Sequence, residues 1–208
     1  LGDPEYGAKA DPGATAIYRG GKLAPLPATR KEAETIGDVV LLGADANELK
    51  LKEAVAKEKR WRAVHLACHG LVDPGHPMRS ALALSFEEDG GSLLTCLDVA
   101  RSKIPADLAV LSACETGKGK LYRSEGIVGL TQAFMLAGAP RVLVSLWKVD
   151  DVATQALMTK FYELWRGGDE DGMPAADALA GAQAHVRAQE KWQHPYYWAA
   201  WVLWGLPR

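Results

Sequence analysis

The chain has 208 residues, 48% of them hydrophobic and 24% charged, with a formal net charge of -2. This is enough for one α/β domain with a buried core, and nothing in the balance points to the basic surface of a nucleic-acid or anionic-membrane binder. No apolar run reaches the roughly 18 residues of a membrane span, and the three cysteines, an odd count with no C-x-x-C pair, make a poor disulfide framework and a poor zinc site. A reducing cytoplasm suits such cysteine usage, and no metal or cofactor is expected.

Leu1-Gly2-Asp3-Pro4 has the character of a strand exit, as in a fragment of a longer protein. Residues 1–30 are rich in Gly, Pro and Ala, so an irregular N-terminal segment over 1–35 is expected. Asp38–Gly43 is a short apolar run closed by glycine, a strand signal. Asp45-x-x-Glu48 resembles a capping box for a helix running to about Lys59. Ala63–Cys68 is a second apolar run that stops at His69-Gly70, and a loop over 71–80 follows. Ala81–Ser85 and Leu93-Leu94 form a hairpin, and Thr95-x-x-Asp98 caps a short helix to about Arg101. Leu108–Ser112 is a continuous apolar strand ending at Ala113-Cys114. After a Gly-bearing loop, a helix spans Gly126–Ala137, closed by Gly138. Arg141–Leu146 is another buried strand, a helix runs from Asp151 to Arg166, and a second starts at Pro174 and continues to about Glu190. The aromatic stretch Tyr196–Trp204 is a candidate last strand. Apolar strands alternating with amphipathic helices predict a single α/β domain over 1–208, a mostly parallel sheet with helices on both faces.

Ligand sites of open parallel sheets lie at the carboxyl ends of strands. Two strands here end in reactive side chains, His69 and Cys114. A cysteine nucleophile needs a neighbouring base, and imidazole is the usual one. If the strands are adjacent, the two groups meet at one end of the sheet; by spacing alone they are more readily read as residues that merely cap strands. Gly70 leaves its backbone N–H open to a ligand, and with the Cys114 N–H it would make an oxyanion hole. Cys68 points to the opposite face from His69, as a small buried residue does. Cys96 opens a helix and reads as structural. His65 is mid-strand and suits sheet packing, His76 lies in a solvated loop, and His185 and His194 have no evident partner.

Several segments together carry a family resemblance: Leu66-Ala67-Cys68-His69-Gly70, Leu108–Gly117 with Ser112-Ala113-Cys114-Glu115-Thr116-Gly117 at its end, Glu125–Leu130, Ser145–Asp151, and His194-Pro195-Tyr196-Tyr197-Trp198. They resemble the CHAT domain family, which belongs with caspases, separases, legumains and gingipains. The 45-residue separation of His69 and Cys114 fits the roughly 50 of a caspase-like pair. The resemblance implies a caspase-like cysteine endopeptidase with Cys114 as nucleophile and His69 as acid and base. The residues around Cys114 are closer to a legumain's pattern than to a caspase's, so Asp specificity is not implied. The substrate peptide would pair as a strand beside Ser145-Leu146-Trp147, although Trp147 is as readily a core aromatic. Asp150 and Asp151 either select a basic substrate residue or supply the cap of the next helix, and the cap is favoured. Glu115 either lines the specificity pocket or bonds within its own turn. The family implies a protein or peptide substrate and an upstream sensor or repeat region in bacterial conflict or cell death, with no nucleic acid and no membrane. Two other classes compete. An inactive CHAT-like binding module would have lost the Cys or the His, and neither is lost. A small-ligand doubly wound domain would need a phosphate loop, but Gly117-Lys118-Gly119-Lys120 lacks the Ser or Thr of one.

Overall fold

The computed structural model describes residues 1–6, 23–73, 76–87, 91–112, 123–167 and 172–206. Cys114, Glu115 and Gly117–Lys120 lie outside the described residues.

The central sheet has the order β3-β7-β8-β9, built from Trp61–Leu66 (β3), Ala106–Leu111 (β7), Arg141–Ser145 (β8) and Trp201–Gly205 (β9). The first three strands run parallel and β9 returns antiparallel to β8. The alternation of side chains along these strands divides the core in two. Ala109 and Leu111 of β7 join Val142, Val144, Val64 and Leu66 on one face; Leu108, Val110 and Leu143 face the other. The first face is covered by three helices: α2 (Glu48–Val55), α3 (Cys96–Arg101) and α4 (Arg123–Ala137). The second is covered by α1 (Pro27–Ile36), α5 (Asp151–Arg166) and α6 (Ala175–Arg187). The expected α/β architecture, with helices on both faces, is therefore present.

Local chemistry explains where most helices begin. Thr95 and Asp98 form a full capping box at α3, and Asp150 accepts from the backbone N–H groups of Val152 and Ala153 at α5. Asn47, rather than Asp45, caps α2 by accepting from Lys50 N. Helix α4 ends at Gly138, whose φ of +120° suits a residue without Cβ. Gly126 in α4 approaches Val72 and Ser80 so closely that a Cβ there would lie 2.5 Å from Val72 Cγ1.

Two smaller sheets flank the centre. An antiparallel sheet of His69–Leu71 (β4), Ala81–Glu87 (β5) and Gly91–Thr95 (β6) continues directly from β3. Gly2–Pro4 (β1) pairs in parallel with Leu42–Gly43 (β2), and Gly2 also bridges to Ala67.

The irregular segment expected over 1–35 needs correction, because β1 and α1 fall within or across it. Helix α1 opens on Pro27 without a side-chain cap, and its buried positions are Thr29, Glu32, Ala33 and Ile36. A half-polar buried stripe gives no apolar periodicity, so this helix is silent in the sequence.

Candidate active site

His69 starts β4 immediately beyond the carboxyl end of β3, and Ser112 follows the carboxyl end of β7. The strands are adjacent and parallel, with Leu66 opposite Leu111. His69 and Ser112 accordingly line one cavity of about 20 Å³ with Glu32, Lys148, Asp151 and Thr154. A space that small holds on the order of one water.

His69 is 6% exposed and is held by Ala24 and Tyr6. Its Nε2 lies 2.8 Å from the carbonyl oxygen of Ala24. Its backbone N–H donates to the Tyr6 hydroxyl at 3.1 Å, and the two rings pack with centroids 5.1 Å apart. A carbonyl only accepts, so Nε2 carries the proton and the neutral ring has its lone pair on Nδ1. Burial pushes the pKa of His69 below its ordinary value, and Lys148 acts in the same direction; the Ala24 carbonyl and Asp151 oppose them. The product is a neutral base of fixed tautomer whose protonated form the Ala24 carbonyl would stabilise.

Neither of the other cysteines in the structure offers a competing nucleophile. Cys68 and Cys96 are both buried, and burial pushes their thiols up to about 12 and about 11. Both remain thiols at neutral pH and are unreactive.

The remaining predicted site residues are placed as follows. Gly70 sits in β4 opposite Leu82. Ser145 is buried, and its hydroxyl donates to the Trp147 carbonyl at 2.5 Å. Leu146 N donates to Ala200 O, and Trp147 Nε1 donates to Tyr196 O at 3.0 Å. Trp147 also packs against the second core face. Lys148, the next residue, reaches the His69 cavity, so the exit of β8 lies at the same end of the sheet. Asp150 is the helix cap, and its carboxylate is engaged with α5. His65 is a packing residue, but with a polar environment: Nδ1 lies 3.2 Å from Tyr162 Oη, and Nε2 lies 2.9 Å from Glu32 Oε1. Among the described residues no group of His, Cys, Asp and Glu could hold a metal ion.

Tyr6 and Ala24 escaped the sequence reading. Ala24 acts through its backbone, which leaves no side-chain signal, and Tyr6 is a lone aromatic in a Gly- and Pro-rich stretch. Asp151, read with Asp150 as a selector of a basic substrate residue or a helix cap, lies in the first turn of α5 and lines the His69 cavity.

The family pattern of the CHAT domain matches residues 6–206 of this chain. The chain belongs to the CHAT domain family. It is similar to tetratricopeptide repeat protein 28 of Homo sapiens, 28% identical over 218 aligned residues that cover 87% of this chain and 8% of the relative. The Mus musculus protein of the same name is also 28% identical, over 87% of this chain and 9% of the relative. This chain thus spans less than a tenth of the length of these relatives. As a CHAT domain it has the caspase-like α/β fold. No helix among the described residues is long and apolar enough to cross a membrane.

Proposed function

We propose that this CHAT domain is a cysteine endopeptidase that cleaves protein substrates with a His69–Cys114 dyad. The observation that carries the reading is the adjacency of β3 and β7, which brings His69 and Ser112 into one cavity, Ser112 being two residues before Cys114.

In the reaction, Nδ1 of His69 takes the Cys114 thiol proton and the thiolate attacks the scissile carbonyl carbon. The oxyanion is held by the backbone N–H of Cys114. The C–N bond then breaks, His69 gives its proton to the leaving amine, and a thioester remains on Cys114. Water, deprotonated by His69, hydrolyses the thioester and restores the thiol. The Ala24 carbonyl holds the imidazole in the required tautomer throughout. The peptide is bound beside Ser145-Leu146-Trp147 through backbone groups other than Leu146 N–H, which Ala200 occupies. Glu115 contributes to the specificity pocket, and the substrate is a protein or peptide in the cytoplasm.

The relatives are named as tetratricopeptide repeat proteins. In keeping with this, the protease is regulated by a repeat or sensor region, and it stays latent until a partner or substrate aligns the cleft.

The test is a peptide library incubated with the wild-type chain, Cys114→Ala and His69→Ala, and sampled with and without a repeat-containing partner. Cleavage by the wild type alone is expected. Equal cleavage by all three proteins would falsify the dyad. Binding without cleavage by any of them would favour the binding-module reading.

A further inference from the structure

Two residues that border the His69 cavity carry buried oxygens with no hydrogen-bond partner among the described residues: Glu32 Oε1 and Thr154 Oγ1. Glu32 is 2% exposed and Thr154 5%. A buried polar group without a partner is costly, so each of these oxygens calls for one.

Neither oxygen is satisfied by its own surroundings. Helical threonines commonly return the hydroxyl to the carbonyl one turn earlier. Thr35 and Thr131 do so, at 2.7 Å from Lys31 O and 2.8 Å from Ile127 O. Thr154 does not, although its backbone N–H donates to Asp150 O at 2.9 Å. Glu32 Oε1 lies 2.9 Å from His65 Nε2, but the contact lacks the alignment of a hydrogen bond, and neither atom gains one from it.

The cavity between them suits one small polar molecule. Its volume of about 20 Å³ is the room of a single water, and a buried water needs two to four polar partners. Glu32 comes from α1, Thr154 from the first turn of α5 and His69 from β4, while Ser112 follows β7. These groups meet at the carboxyl ends of β3 and β7, where Cys114 is two residues beyond Ser112.

We propose that this cavity holds the water that hydrolyses the thioester, positioned by Glu32 and Thr154. The inference rests on the dyad reading. Glu32 Oε1 accepts one hydrogen of the water, and the Thr154 hydroxyl donates to one lone pair. The second hydrogen is left for Nδ1 of His69 and the second lone pair for the thioester carbonyl carbon. His69 takes that proton as the water oxygen bonds to the carbon. The C–S bond breaks when the intermediate collapses, the sulfur recovers the proton from His69, and the acyl group leaves as a carboxylic acid. Glu32 and Thr154 are positioning residues, and neither exchanges a proton.

Acetylation of Cys114 with p-nitrophenyl acetate isolates this step. Loss of the acetyl adduct is then followed by intact mass in the parent chain, Thr154→Val, Thr154→Ser and His69→Ala. Thr154→Val should lose the adduct about tenfold more slowly than the parent. Thr154→Ser keeps the hydroxyl and should match the parent. Hydroxylamine brings its own nucleophile and should clear the adduct from parent, Thr154→Val and Thr154→Ser alike. Thermal unfolding gives a readout free of activity. Valine should lower the Tm by about 2–4 °C by taking a partner from the water, whereas it would raise the Tm if the hydroxyl had no partner to lose. A single rate of water-driven loss in the parent and both Thr154 variants, or a higher Tm for Thr154→Val, would overturn the inference and leave the dyad standing. A Cys114 that takes no acetyl group, or that loses it as fast in His69→Ala as in the parent, would overturn the dyad and this inference with it.

Discussion

The protonation of His69 is set by burial and by three groups of different kinds. Burial and Lys148 disfavour its charged form; the Ala24 carbonyl and Asp151 favour it. Because Lys148 and Asp151 act in opposite senses, their removal should move the imidazole in opposite directions. Asp151→Asn loses a favourable negative charge, so His69 should titrate at lower pH than in the parent. Lys148→Met loses an unfavourable positive charge, so His69 should titrate at higher pH. Histidine-selective NMR in a Cys114→Ala background reads this without any need for activity. If the dyad operates, the acid limb of kcat/KM should shift in the same two directions. Titration curves that coincide in all three proteins would remove both residues from the electrostatics of the site.

At the scale of elements, the site depends on how α1 and β1 hold the segment that bears Ala24. Thr29 is the clasp: its Oγ1 accepts from Asp3 N at 2.8 Å and donates to Leu26 O at 2.7 Å. Thr29→Val keeps the shape and loses both bonds, at about 1–2 kcal/mol. The Ala24 carbonyl should then hold Nε2 less firmly, so the slowly exchanging Nε2–H resonance should be lost and, if the dyad operates, kcat should fall about three- to tenfold with KM unchanged. Thr29→Ser should restore both. A change in KM alone would assign Thr29 a different role. These elements also show where the sequence was opaque. The capping box at Thr95 and Asp98, the cap at Asp150 and the apolar runs of β3, β7 and β8 were legible, because each is a local signal. His69 and Gly70 were legible by their place after a strand. Helix α1 was not, because its buried stripe includes Glu32, 2% exposed and 2.9 Å from the distant His65, and such a contact leaves no trace in periodicity. Tyr6 and Ala24 were hidden for the same reason: their partner lies more than forty residues away.

For the whole molecule, the two-faced core fixes His69 by burying it, so the stability of the fold and the state of the base are linked. In the folded chain His69 binds its proton only below its ordinary value of 6.5, with burial the largest cause. The unfolded chain protonates near that value. Above it neither state carries the proton, and the contribution of His69 to stability is present in full. As the pH falls below about 6.5, the unfolded chain takes up a proton that the folded chain refuses, and that contribution is progressively lost. Thermal unfolding of the wild type should therefore show Tm declining from pH 7 towards pH 5, each kcal/mol lost corresponding to about 2–4 °C for a domain of this size. His69→Gln keeps a donor for the Ala24 carbonyl and cannot titrate, so its Tm should decline less steeply across the same window, whatever its value at pH 7. Parallel curves for the two proteins would show that the buried imidazole carries no linkage, and that the acid sensitivity arises elsewhere in the core.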